Sequence, residues 1–203
     1  MKTPALALST LLLAGAAQAE TVLSEVTGNW AGSSNAGFFF RAVLSQEGDY
    51  LRLRIHQGMA ADEIEAEPQF DNDRIAYAPG GGAGGGNAWL EVGSTGALHL
   101  IGVSTTEGYA YSEALSIQFM DNQFTVMAYG MYNNGPDSVA SMPETPVGCW
   151  AEGCYSCEAD LWNQTALAGG EMIAVPPHDS EAANASAWTP ERVYELGYCP
   201  APN

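Results

Sequence analysis

Arg41, Arg52 and Arg54 fall on one stretch, Gly37–Gln57, of a chain with few other cations. Guanidinium groups gathered this way hold carboxylates or phosphates through paired N–H bonds. The stretch reads GFFFRAVLSQEGDYLRLRIHQ, two alternating strands about a Glu47-Gly48 turn. Side chains alternate faces along a strand. Phe40, Ala42, Leu44, Leu51, Leu53 and Ile55 therefore share an apolar face. Phe39, Arg41, Val43, Ser45, Tyr50, Arg52, Arg54 and His56 share a basic, aromatic one. This register sets Arg41 opposite Arg54, and like charges across a pair repel. An anion belongs beside them. It is either a bound acidic ligand or the nearby Asp62, Glu63, Glu65 and Glu67, which are the expected partners. Met59–Glu67 itself is expected as a third strand or a short helix.

The cysteines are the second chemistry. Cys149, Cys154, Cys157 and Cys199 include a CxxC, which has haem, redox and zinc readings. Haem attachment needs a following His, and residue 158 is Glu. An exported chain with an even number of cysteines favours disulfides. Three connectivities are open. Cys149–Cys154 across a short hairpin, with Cys157–Cys199 tying back the C-terminus, is the preferred one.

The third is aromatic. Trp89, Tyr109 and Tyr111, with Tyr129 and Tyr132, could form a stacking surface for a ligand. Glu91, Glu107 and Glu113 lie beside them and are read as a solvated face. A glycan hydrolase would need two of them opposed in space. No catalytic residue is assigned: there is no G-x-S-x-G and no H-E-x-x-H, and His56, His99 and His178 are dispersed. Pro79–Asn87 is glycine-rich, but neither a Lys nor a helix follows, so it is an inter-strand loop and not a phosphate cradle. No metal site is assigned and no cofactor is expected. Asp71 with Asp73, or Asp121 with Asn122, leaves Ca²⁺ as a minor option, although Asp-Asn is also turn chemistry.

The elements that must carry these residues follow from the rest of the chain. Residues 1–19 have one Lys, an apolar run and Ala17-Gln18-Ala19, the pattern of a cleaved signal peptide. Its loss removes the only lysine and leaves 5 Arg against 24 Asp and Glu, a formal net of −19. That balance argues against nucleic acid and anionic membrane surfaces as partners. It also excludes Schiff-base chemistry. No other stretch is apolar enough to span a membrane as a helix. A periplasmic or secreted product is expected.

Short runs with turn punctuation occur at Val26–Ala31, Phe38–Ser45, Tyr50–Gln57, Asp73–Ala78, Ala88–Val92, Ala97–Val103, Tyr109–Met120 and Gln123–Met131. They predict a mainly β fold, an antiparallel sandwich or small closed barrel. A second hairpin turns at Asp121-Asn122, setting Phe119 against Phe124 and Ile117 against Val126. The expected organisation is a β domain over 20–131, a linker-like 132–148, and a disulfide-stapled segment over 149–203. Thr189-Pro190 predicts a short helix Pro190–Leu196 stopped by Gly197. Gly28-Asn29-Trp30 is similar to the G-x-W of lipocalin and avidin barrels. Tyr109–Met131 lacks the basic residue that covers that Trp, so no family is assigned. The functional reading is a non-catalytic exported binding or interaction protein, its ligand or envelope partner unknown. A structural envelope protein and a small glycan hydrolase are the alternatives.

Overall fold

The computed structural model describes residues 20–30, 37–80, 85–106, 108–144 and 146–200. The expected leader and residues 81–84 of the glycine-rich loop lie outside them. Two antiparallel sheets face each other. The first has the order β1(Thr21–Asn29), β2(Phe39–Glu47), β3(Tyr50–Gly58), β4(Phe70–Tyr77). The second runs β5(Gly86–Val92), β6(Leu98–Thr106), β7(Tyr109–Met120), β8(Gln123–Asn133), β9(Tyr155–Asp160), β10(Thr165–Ala168), β11(Glu171–Ile173). The barrel does not close. At one side β1 lies beside β5 without ladder pairing, and the Leu90 amide donates to Ser24 Oγ at 3.1 Å.

Alternation decides what is buried. Phe40, Ala42, Leu44, Leu51, Leu53 and Ile55 are all fully buried, as their shared parity requires. Opposite them stand Leu98, Leu100, Leu115, Ile117, Phe124 and Val126. Gly28 lets the sheet accept a ring: a Cβ there would lie 2.7 Å from Phe40 Cζ. Trp30 then stacks on Phe40 with centroids 4.1 Å apart.

The register of the first hairpin differs from expectation by two residues. Glu47 pairs with Tyr50, Val43 with Arg54 and Arg41 with His56. The loop is Gly48-Asp49, with Gly48 at φ +62°. A two-residue loop with glycine first matches the twist of the strands it joins. A shift of two preserves both faces, so the core is as expected, but Arg41 and Arg54 are not opposed. The second hairpin has the expected register: Phe119 meets Phe124 and Ile117 meets Val126. Asp121 and Asn122 both take positive φ there, as a primed turn demands.

Met59–Glu67 is neither strand nor helix but a turn-rich loop, with Glu65 N–H donating to Gln57 O. Both disulfides follow the preferred pairing, Cys149–Cys154 and Cys157–Cys199. Beyond Cys154 the chain adds β9, β10 and β11, where no strand was expected. Residues 132–148 include a 3-10 turn, Ser138–Ser141, whose buried Ser138 accepts the Ala110 amide through Oγ at 2.7 Å.

The last stretch closes the open side. Asn72 on β4 donates its amide to the carbonyls of Ala185 and Trp188, each at 2.8 Å. Trp188, Val193 and Tyr198 enter the shared core. The helix is shorter than expected: α1 is Arg192–Glu195, and Gly197 turns the chain at φ +78°. Cys199 is held to β9 through Cys157.

Candidate functional site

The three hairpin arginines lie on the outer face of the first sheet, each turned to an acid. Arg52 makes a two-pronged contact with Asp71, Nε to Oδ1 at 2.7 Å and Nη2 to Oδ2 at 2.6 Å. Its Nη1 donates to Glu47 at 2.8 Å. These bonds hold the Asp71 carboxyl below its ordinary range and raise the Arg52 guanidinium further. Arg54 pairs with Glu20, which also accepts from Ser45 Oγ. Arg41 is 3.9 Å from Glu25. The expected partners Asp62, Glu63, Glu65 and Glu67 are not used; they lie in the loop that follows β3. Ion pairs of this exposure contribute at most about 1 kcal/mol each.

The aromatic residues do not form one surface. Trp89 and Tyr132 lie on the outer face of the second sheet. Trp89 Nε1 donates to Glu91 at 2.8 Å. Tyr132 folds over Gly130, whose Cβ would lie 2.8 Å from its hydroxyl. The trough there has a volume of about 460 Å³ and a floor of Ala114, Ser116, Ala128 and Gly130. His99 flanks it, its basicity lowered by burial.

Tyr109 and Tyr111 come together elsewhere, at one end of the sandwich. They line a cleft of about 680 Å³ with Tyr50, Tyr77, Gln46, Asp49, Ser104 and Thr106. Tyr50 and Tyr77 share the outward parity of Arg52, next to inward Leu51 and Ala76, so the first sheet gives its end and not its inner face to this cleft. Tyr50 and Tyr77 are cross-strand partners, stacked with centroids 5.5 Å apart. The Arg74 guanidinium lies 4.4 Å from the Tyr50 ring centroid. Tyr77 donates its hydroxyl to Glu191 at 2.5 Å, which pushes its own pKa up to about 12. The walls stand on rigid strands, and the C-terminal stretch clamps one of them.

The register shows what lies beneath. Ser104 pairs with Tyr111, and the next inward-facing pair is Gly102 with Glu113. That step is about 7 Å along the strands. Glu113 shares parity with Leu115 and Ile117 and so points between the sheets. It lines a small pocket with Leu51, Leu100, Gly102, Tyr129 and Trp188. Tyr77 belongs to the walls of both the cleft and this pocket.

No family model, curated protein or solved structure matches the chain. The chemistry of the site must therefore be read from its own side chains. Tyr129 donates its hydroxyl to Glu113 Oε1 at 3.1 Å, and the Tyr194 hydroxyl lies beside that of Tyr129. Burial raises the Glu113 pKa against the opposing effect of the Tyr129 bond. Burial likewise raises Tyr129, Tyr111 and Tyr194. A protonated carboxyl can donate as well as accept.

The described residues contain no group of three or more His, Cys, Asp or Glu placed to hold a metal ion. Asp71 is occupied by Arg52, and Asp121-Asn122 forms the β7–β8 turn. Tyr109 and Tyr111 both line this cleft, joined by Tyr50, expected on the arginine face, and by Tyr77, which was not singled out; Glu113, expected on a solvated face, alternates inward instead. For Glu113 a signal was present in the chain: it alternates in step with Leu115, Ile117 and Phe119.

Proposed function

We propose that the chain is an exported, non-catalytic binding domain, and that its ligand enters the tyrosine-lined cleft at one end of the sandwich. The cleft carries this reading. It is a concavity of about 680 Å³, within the ~300–1,000 Å³ of small-molecule sites, and combines aromatic faces with a few polar groups. Two disulfides fit an oxidising compartment. No helix among the described residues is long and apolar enough to cross a membrane. The outer arginines are spent on Glu20, Glu25, Glu47 and Asp71, so anion recognition there is not part of the proposal.

Native mass spectrometry of protein purified from its own source tests it. The expected result is a retained small molecule that Tyr109→Ala loses and Tyr132→Ala, in the outer trough, keeps. Tyr109 is 43% exposed, so its truncation should leave the fold intact. A retained molecule lost in Tyr132→Ala and kept in Tyr109→Ala would move the site to the outer trough and refute the reading.

A further inference from the structure

We propose that the cleft takes a neutral glycan, stacked on Tyr77 and Tyr109 and hydrogen-bonded at Asp49 and Thr106, which continues along the sheet end toward Tyr155. This rests on the reading of the cleft as the binding site. A pyranose has two kinds of surface. Its flat faces carry C–H groups and are apolar, and its edge carries hydroxyls that both donate and accept. A site for it needs open aromatic surface beside mixed polar groups.

The aromatic part is already in place. Tyr77 is 46% exposed and Tyr109 43%, so both keep open ring surface. Tyr77 gives its hydroxyl to Glu191, and the Tyr50 hydroxyl accepts from Arg74 Nη2 at 2.9 Å. With those hydroxyls engaged, the two rings are fixed and offer surface to a ligand. Groups ordered beforehand lose little freedom on binding.

The polar part is mixed. Gln46 Nε2 donates to the Gly48 carbonyl at 3.1 Å, which leaves Oε1 as an acceptor. The Asp49 carboxylate and the hydroxyls of Thr106 and Tyr109 have no hydrogen-bond partner among the described residues. Sugar hydroxyls can donate to the carboxylate and exchange bonds in both directions with the other hydroxyls. An ammonium ion only donates, and would leave the donors of Thr106 and Tyr109 unused. An anion meets no Arg, Lys or His among the described residues of the lining. The chain's net charge of −18 also repels it. A wholly apolar ligand would strip water from Asp49 and return no hydrogen bond.

The strand register gives the direction. Ser104 pairs with Tyr111, Tyr111 with Asn133, and Asn133 with Tyr155. These four positions form one line across β6, β7, β8 and β9. Tyr111 lines the cleft, and Tyr155 stands two strand spacings away, about 10 Å. Tyr155 is 38% exposed. An extended glycan leaving the cleft along this line meets a further ring, whereas a single sugar does not reach it.

The test is isothermal titration calorimetry of the whole disulfide-bonded protein with defined sugars. The neutral probes are cellobiose and cellotetraose, maltose and maltotetraose, and xylobiose and xylotetraose. The charged comparators are tetragalacturonate and the glucosamine tetramer. Expected is that at least one neutral tetramer binds, more tightly than its dimer and than either charged comparator. Tyr109→Ala should weaken both lengths roughly 10-fold or more, from the lost ring contact. Tyr109→Phe should keep most of the affinity, and thermal melts check that each variant folds. Tyr155→Ala should weaken the tetramer and leave the dimer unchanged. Tightest binding of the glucosamine tetramer, lost in Asp49→Asn, would make the ligand a cation and overturn the proposal. Sugar binding untouched by Tyr109→Ala would place the glycan elsewhere and overturn it too. No sugar binding, with a different retained molecule that Tyr109→Ala loses in native mass spectra, overturns the glycan assignment and leaves the cleft as a binding site. No sugar binding and no retained molecule overturns both.

Discussion

Replacing Cys157 and Cys199 together by alanine should cost about twice as much stability as replacing Cys149 and Cys154. The cross-link between residues 157 and 199 spans 42 positions, and the other spans 5. Loop-closure entropy then gives about 4 kcal/mol for the first and about 2 kcal/mol for the second at 25 °C. The long cross-link also anchors the stretch that carries Trp188 and Tyr194, so its loss removes a tether and not merely a loop. Equilibrium urea unfolding, followed by tryptophan fluorescence, measures both. With a slope of about 2 kcal/mol per molar urea, the midpoints should fall by about 2 M and about 1 M. Equal midpoints, or a larger fall for the Cys149/Cys154 variant, would refute the reasoning. The first would mean that the C-terminal stretch stays docked without its covalent tie. The second would mean that the short loop holds Trp150 and Asn134 in a way chain entropy does not capture.

Glu113 makes stability pH-dependent with a definite sign. Its folded pKa is raised, so the native state binds the proton more tightly than the unfolded chain. Stability therefore falls as pH rises from the ordinary carboxylate range through the raised value. Glu113→Gln should flatten that slope in melting temperatures measured from pH 4 to 8. Asp71 acts oppositely: its folded pKa is lowered by Arg52, so its contribution is present above the unfolded value and is lost as pH falls through the folded one. Arg54→Ala should lower stability by at most about 1 kcal/mol in urea titrations and leave binding in the cleft unchanged. Trp30→Ala, at a site with no solvent exposure, should cost about 3–5 kcal/mol in the same titrations.

The fold class was legible because alternation assigns faces. It was less informative about register, since a shift of two residues preserves every face. Only turn chemistry breaks that degeneracy. Asp121-Asn122 did so, because both residues tolerate positive φ. Glu47-Gly48-Asp49 did not, because one glycine serves either of two adjacent turns. The strands β9 to β11 were hidden for a different reason. Their inward residues include Cys157, Ala159 and Ala166, small side chains that give little hydrophobic contrast. They find a place there because Trp188 and Tyr198 fill the space above. Those aromatics arrive from the distant C-terminus, and no local pattern announces them. The acids that meet the arginines were equally hard to see: Glu20 and Asp71 are brought in by strand pairing, whereas the nearer Glu63, Glu65 and Glu67 are carried off in a loop. Half the cleft was readable as tyrosines near the start of β7. Its other half depends on Tyr50 and Tyr77 at the end of the other sheet, and how two sheet ends meet is not encoded in either strand alone.

The two bonds from Asn72 to Ala185 and Trp188 join positions 113 and 116 residues apart. On a chain made from N- to C-terminus, the long edge of β4 is thus laid down early and covered last. Until then it presents unpaired backbone groups of the kind that recruit other strands. Hairpins formed between neighbours close quickly, whereas a contact of this separation waits on the whole chain. Truncation before residue 185, or delay in oxidising Cys157 and Cys199, should therefore show itself first as self-association during refolding, and only secondarily as a lower melting temperature.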